Sequence, residues 1–491
     1  MKRHVPALIC VAVACAVAVI GASQAPPQAA VDQRIARIES HLLPGIVIKG
    51  SPPQMTIAER MRFYNTPGLS VAVINGGVVE WARGYGVAEA GGTAPVTPHT
   101  RFQAASISKP VAAMAALRLV QEKRLALDED VNAKLTSWKV PENEFTKQEK
   151  VTLRRLLSHS AGLTVHGFPG YAAGAPLPAV TQILDGIKPA NTAAIRVDVV
   201  PGSLWRYSGG GYTLMQQLLV DVTGRPFPQF MKATVLQPLG MNDSTYEQPL
   251  PEALRAQAAS GHRSDGKVIE GRYHTYPEMA AAGLWTTPTD LARFAVALQQ
   301  AIGGKSKPVL TQATTTEMLT LQKGSYGLGL LLEGGSAAPR FGHGGSNEGF
   351  RCGMVAYVRT GQGAVVMTNG DNGSRLGQEI LRAIAAEYGW AGYPGPREKT
   401  VTQVDPAIFQ AYVGRYEMVT GRIVSVRVEG NKLLAQMQAA GEQAMELHAE
   451  SATKFFILEL ENEIEFVKGP DGQISHLLIN GVMRAQRLPP T

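Results

Sequence analysis

The sequence predicts an α+β fold, with a sheet built from strands at both ends of a main domain and covered by helices, followed by a small all-β domain. Three observations predict it. Runs rich in β-formers near residues 69–82 and 326–368 bracket a helix-rich middle, the pattern of distant strands sharing one sheet under helical cover. Beyond residue 398 the hydrophobic period becomes two, as in half-buried strands. Between these regions, residues 391–398 (Ala-Gly-Tyr-Pro-Gly-Pro-Arg-Glu) read as a linker of breakers. The expected divisions are a leader at 1–25, a main domain at 31–390, the linker, and an all-β domain at 399–491.

The leader opens on Lys2, Arg3 and His4, continues as an apolar stretch from Val5 to Ala22, and closes on Ser23-Gln24-Ala25 before Pro26-Pro27. That is the three-part pattern of a secretory signal peptide, and it predicts export to a bacterial periplasm or the exterior. An uncleaved leader would be the one route to membrane attachment. Residues 31–45 follow as a short helix with Ile35, Ile38 and Leu42 on one face. Leu69–Ile74 and Val78–Ala82, joined by Asn75-Gly76-Gly77, form a hairpin. From Ser106 to about Arg124 the chain reads as an apolar helix. Strands are expected at 326–332, 353–358 and 364–368, and a helix at 377–388. In the last domain, 424–428, 455–460, 464–467 and 474–479 belong to about six short strands, with turns at Gly430-Asn431 and Asp471-Gly472. That pattern suits a small antiparallel barrel or sandwich.

The 491 residues are 45% hydrophobic and 18% charged, ordinary for a globular protein. The formal charge is +7 and the pI about 9.2. Lys and Arg are scattered, with no run longer than a pair such as Arg154-Arg155, so no nucleic-acid partner is expected. Of three cysteines, Cys10 and Cys15 lie in the leader, and Cys352 alone can form no internal disulfide. Cys352 sits in an apolar run and reads as a small hydrophobe. No H-E-x-x-H and no cysteine pair occurs, so no metal and no cofactor is expected. Gly303-Gly304-Lys305-Ser306 fails as a P-loop because Gln299 stands where the first glycine must be. Glu348 likewise spoils a G-x-S-x-G reading of 344–348. His159 and His166 read as structural.

The chemistry-bearing signal is Ser106-Ile107-Ser108-Lys109 at the head of the apolar helix. Residues three apart on a helix share a face, so Ser106 and Lys109 face each other. A serine hydroxyl needs an adjacent base. A lysine in an apolar pocket loses solvation for its charged form and can act as one. Ser108 faces elsewhere. About 100 residues on comes Tyr207-Ser208-Gly209, after Pro201-Gly202, and later His343-Gly344-Gly345-Ser346 ahead of a β-rich run. Glycines at 344 and 345 suit a strand whose backbone closely approaches a substrate.

These motifs, with Leu156-Leu157-Ser158-His159-Ser160-Ala161-Gly162-Leu163 and Ala282-Gly283-Leu284-Trp285-Thr286-Thr287, resemble the serine β-lactamase and penicillin-binding-protein superfamily, in particular its class C β-lactamase-like branch, over residues 35–390. The resemblance implies an antiparallel sheet with a helical subdomain. It also implies Ser106 as acylated nucleophile, Lys109 as its activator, Tyr207 as proton relay, and His343 in place of the third-motif lysine. The oxyanion hole would be the backbone N–H groups of Ser106 and Ser346, with Gly209, Gly344 and Gly345 against the substrate. Residues 399–491 resemble the lipocalin-like C-terminal module of some relatives, expected to shape substrate access or oligomer contacts. Two departures bear on substrate. Gly209 replaces the asparagine that usually holds an acylamino group, and His343-Gly344 replaces the lysine and hydroxyl that hold a terminal carboxylate, with Arg351 as an alternative clamp. The expected activity is acyl transfer from small-molecule or peptide substrates (esters, amides or D-amino-acid peptides) to water. The alternative is a penicillin-binding sensor or scaffold that acylates without turnover.

Overall fold

A computed structural model describes residues 28–51, 55–305, 308–418, 421–437 and 444–489, and the leader read at 1–25 lies outside them. The first helix, α1 (Gln28–Ser40), buries Val31, Ile35 and Ile38. Helix α2 (Ile57–Phe63) starts on a capping box between Thr56 and Glu59. The hairpin is β1 (Gly68–Asn75) and β2 (Val78–Gly86). Asn75 pairs with Val78, so two residues make the turn rather than the three expected.

Four later strands complete the sheet: β3 (Leu331–Glu333), β4 (Arg340–Asn347), β5 (Phe350–Tyr357) and β6 (Gly363–Thr368). Their order is β2-β1-β6-β5-β4-β3, antiparallel throughout. The N-terminal hairpin therefore lies directly beside the C-terminal strands. The strand expected at 326–332 is a correction: only 331–333 pairs with β4. Residues 323–330 turn instead, with Tyr326 N–H bonded to the Lys323 carbonyl and Gly327 N–H to that of Leu330. This turn drops Leu328 and Leu330 into the core.

Side-chain alternation divides the sheet between two cores. Ala72, Ile74, Val365 and Met367 pack with α3 (Ser108–Gln121), α4 (Gly209–Thr223) and α5 (Pro288–Ile302). Val71, Val73, Ala364 and Val366 pack on the other side with α1 and α6 (Gly373–Glu387). A strand covered on both faces reads as a continuous apolar run, as Val71–Ile74 does.

Residues 414–487 form a nearly closed antiparallel barrel of nine strands, not about six. Strands at 414–418, 432–437 and 483–487, and the two-residue pieces at 445–446 and 448–449, add to those expected. The strand begun at 454 ends at Ile457, three residues short of the expected end. Aromatic side chains fill the interior: Tyr412 stacks on Phe466 with centroids 4.2 Å apart, and Tyr416 and Phe455 close around them. The linker ends in order, since Arg397–Lys399 pairs in parallel with Ile46–Ile48. The turn after Ile457 seats the barrel: Glu461 accepts from Gly45 N–H at 2.6 Å and from Arg382 at 2.8 Å. Among the described residues no helix is long and apolar enough to cross a membrane.

Candidate active site

Ser106 sits in a tight 3₁₀ turn, Ala105–Ile107, directly ahead of α3. Ala105 before it has φ +49°, a left-handed conformation that a non-glycine residue holds only under strain. Lys109 is the second residue of the helix, about one turn on from Ser106, and 2% exposed. Its Nζ donates to Ser106 Oγ at 3.0 Å and to the Ala281 carbonyl at 2.8 Å. No carboxylate neutralises it, and burial alone lowers its pKa to about 7. The amine is therefore close to evenly divided between its two forms near neutrality. Ser108 is turned away and fully buried, its hydroxyl bonded to the Ala105 carbonyl and to Leu284 N–H.

Tyr207 lies just before α4 and reaches Ser106 with its phenol. Burial raises that phenol to about 12, against a lowering by the Ser106 hydrogen bond, so it keeps its proton through the neutral range. The Tyr207 ring stands 5.0 Å from Lys109 Nζ. His159 packs on its face at 4.2 Å and His166 at 4.9 Å. His159 is itself buried, its Nδ1 accepting from Ser208 N–H at 3.1 Å. Burial and the nearby Lys109 charge hold its pKa well below the usual range. The two histidines read as generally structural thus brace Tyr207. The signal was available in the Leu156–Leu163 block, whose tight turn carries His159 at φ +57°.

β4 brings the third motif to the site. A Cβ at Gly345 would stand 2.3 Å from the Ala104 carbonyl and from Cys352 Sγ, so the strand touches the turn carrying Ser106. Ser346 follows Gly345 on the same strand. His343 is 6% exposed. Its Nδ1 donates to the Gly344 carbonyl at 2.6 Å, while its buried Nε2 has no partner. Burial, then the Lys109 charge, lowers its pKa to about 4, leaving a neutral ring at neutral pH. Gly344 borders the cleft with open space around it. Arg351 ion-pairs with Asp371 at 2.9 Å and also donates to the Asn347 and Phe350 carbonyls. It is engaged rather than free to clamp a carboxylate. The Cys352 thiol donates to the Ala104 carbonyl at 3.0 Å, and burial pushes its pKa up, as suits a packed side chain.

Ser106, Tyr207, His343, Gly344 and Ser346 line a cleft of about 1020 Å³ together with His166, Phe168, Pro169, Trp205 and Tyr326. Sequence reasoning missed Phe168, Trp205, Tyr326 and the Ala281 carbonyl, because their positions relative to Ser106 depend on the packing of loops. Gly209 begins α4 under the Phe168 ring. Among the described residues, none from the barrel lines the cleft. Among the described residues no group of His, Cys, Asp and Glu could hold a metal.

Comparison with known proteins fits this geometry. A family model described as Beta-lactamase matches residues 54–388, and one described as a domain of unknown function, DUF3471, matches 398–487. Penicillin-binding protein 4* of Bacillus subtilis is 26% identical over 86% of this chain and 94% of its own length. Esterase EstB of Burkholderia gladioli is 29% identical over 47% of this chain and 60% of its own. Two solved structures share the fold. The octameric penicillin-binding protein homologue from Pyrococcus abyssi has a TM-score of 0.57 and 21% identity, covering 88% of this chain and 98% of its own. The D-amino acid amidase from Ochrobactrum anthropi, complexed with L-phenylalanine amide, has a TM-score of 0.56 and 22% identity, covering 73% and 99%.

Proposed function

The chain belongs to the Beta-lactamase family, whose members are serine hydrolases, and from that premise we propose that it hydrolyses esters, amides or D-amino-acid peptides through an acyl-Ser106 intermediate. One observation carries the reading: Lys109, buried without a counter-ion, stands 3.0 Å from Ser106 Oγ with its pKa near 7.

In the proposed cycle, neutral Lys109 takes the Ser106 proton as Oγ attacks the substrate carbonyl. The oxyanion is held by the backbone N–H groups of Ser106 and Ser346, donors whose positions are set before the reaction. Tyr207, protonated across the working range, passes its proton to the leaving group and regains one from the Lys109 ammonium, so that both groups return to their starting forms. Water then attacks the acyl-enzyme, gives up its proton through the same groups, and releases the acid with Ser106 restored. His343, neutral, presents its Nε2 lone pair beside Tyr207, where ring centroids are 6.2 Å apart. Export through residues 1–25 is proposed with this reading, on the leader pattern.

The test is intact mass together with product release. Wild type incubated with a fluorophosphonate should gain one adduct mapping to Ser106, and should release p-nitrophenol steadily from p-nitrophenyl acetate. Ser106→Ala should lose both, with kcat/KM down by at least about 10³-fold. Full activity in Ser106→Ala would sink the proposal. A stable Ser106 adduct with a β-lactam and no turnover of any ester would favour the sensor reading.

A further inference from the structure

We propose, resting on the acyl-Ser106 reading, that the cleft selects uncharged substrates whose acyl group is aryl or otherwise apolar, and that Phe168, Trp205 and Tyr326 form the subsite receiving it.

At the head of α4, Gly209 stands where the resemblance implies an amide side chain, and Phe168 and the His166 carbonyl crowd the space beside it. A Cβ there would lie 3.0 Å from Phe168 Cε2 and 3.1 Å from the His166 carbonyl, tighter than most real side-chain contacts, so the ring and the loop would have to give by a few tenths of an ångström. The loop before Phe168 is fastened across the helix terminus. Gly209 N–H donates to the His166 carbonyl and Gly210 N–H to the Val165 carbonyl, each at 3.0 Å. Ser208 Oγ donates to the Thr164 carbonyl at 2.8 Å and accepts from Gly211 N–H at 3.0 Å. The leading N–H groups of α4, which at a free helix end attract anions, are already taken by loop carbonyls and a hydroxyl. An aromatic ring held by this loop thus stands against position 209 and lines the cleft.

The neighbouring surface is aromatic as well. Trp205 is 40% exposed, although a large apolar ring is usually covered. It packs at 34° on Tyr326 with centroids 5.3 Å apart, and lies over Gly324. Phe168, Trp205, Tyr326 and Leu331 all line the cleft. On the other side of Ser106 charge recognition is weak. His343 is neutral and turns its Nδ1 proton to the Gly344 carbonyl, Gly344 offers no hydroxyl, and Arg351 is held by Asp371. Glu333, the one carboxylate among the described residues lining the cleft, is itself paired with Arg340 at 3.3 Å. Aromatic walls, and a cleft-lining arginine that is already paired, favour a neutral ester or amide with an apolar acyl group.

The experiment measures kcat/KM of the full-length chain on four p-nitrophenyl esters: acetate, phenylacetate, N-acetyl-D-alaninate and hemisuccinate. Wild type should prefer phenylacetate to acetate by about tenfold or more, and should use the other two less well than acetate. Trp205→Ala and Phe168→Ala should each reduce the phenylacetate-to-acetate ratio by about fivefold to tenfold. The double variant F168A/G209N, which opens the space and installs an amide, should raise the N-acetyl-D-alaninate-to-phenylacetate ratio at least tenfold. Fluorophosphonate labelling of Ser106 checks that each variant retains a formed site, and ratios are read only from those that do. Acetate turnover with no aryl preference, or ratios unmoved in all labelled variants, overturns this inference and leaves the acyl-serine reading standing. Absence of both labelling and acetate turnover in wild type overturns that reading, and the inference falls with it.

Discussion

The cleft and the seat of the C-terminal barrel both bury cations, and they treat them in opposite ways. At the seat, Arg60 is 5% exposed and forms a two-pronged ion pair with Glu379, with Nε–Oε2 2.8 Å and Nη2–Oε1 2.6 Å. The Tyr64 hydroxyl donates to the same carboxylate at 2.8 Å, and Arg60 and Tyr64 both reach the Glu459 carbonyl of the barrel turn. The buried cation there is matched by a carboxylate. In the cleft, Lys109 is equally buried but has only a hydroxyl and a carbonyl for company. A buried charge that is paired stays charged, whereas an unpaired one gives up its charge. The first arrangement holds two parts of the molecule together; the second makes a base.

Replacing each cation separates these roles, and Lys109→Met should have the largest effect. Activity toward p-nitrophenyl acetate should fall by about 10³-fold or more, while removal of an unpaired buried amine should raise stability by about 1–4 kcal/mol. The wild-type pH profile provides the companion measurement. kcat/KM of the free enzyme should climb as pH rises through about 7, where the amine loses its proton. Stability has its own sign. With the folded pKa below the unfolded value, the unfolded chain binds more protons between about 7 and 10.5. The Lys109 contribution to stability therefore rises with pH across that window, and Lys109→Met should lack it in urea melts.

Glu379→Gln tests the matched pair. Breaking it strands Arg60 in the interior and should lower stability by about 3–5 kcal/mol, with the activity limb near pH 7 kept in whatever protein remains folded. Replacing both partners, Arg60→Met with Glu379→Leu, should recover most of that loss. A limb moved by a whole pH unit in Glu379→Gln would show that the two regions are electrostatically linked, and the contrast would fail.

Glu278 is a third case that sharpens the rule. It is fully buried, neither carboxylate oxygen has a hydrogen-bond partner, and burial raises its pKa to about 8. A group with a folded pKa above its unfolded value is bound to its proton more tightly when folded, so it loses stability as pH rises from about 4.5 to about 8. Glu278→Gln should therefore match wild type near pH 5 and exceed it by on the order of 3 kcal/mol at pH 9. Parallel stability curves for the two proteins would show that Glu278 is already ionised.

The same division explains what could be read from the sequence. Ser106 and Lys109 were legible because one helical turn joins them, and Tyr207 and His343 because short motifs carry them. The sheet was legible in outline from its apolar strands, but Gly-rich residues 323–330 mimic a strand while forming a turn. His159, Phe168 and the Ala281 carbonyl act through contacts between segments far apart in the chain, as in the 172-residue separation of Lys109 from Ala281. The barrel seat was invisible for the same reason: Arg60 and Glu379 are 319 residues apart, and nothing in either neighbourhood indicates the other.

The smallest effect expected concerns the barrel turn itself. Glu461 holds φ +58° and reaches into the main domain, where its carboxylate takes Gly45 N–H and both arms of Arg382. Arg382 projects from α6, the helix whose opening turn borders the cleft through Ser374 and Gln378. Glu461→Ala removes a charge-assisted contact that is 20% exposed on its acid side. It should lower stability by about 1–2 kcal/mol, with the phenylacetate-to-acetate ratio unchanged because no described barrel residue lines the cleft. A changed ratio would mean that the barrel acts on substrate choice through α6, and the separation between a region that holds and a region that reacts would have to be given up.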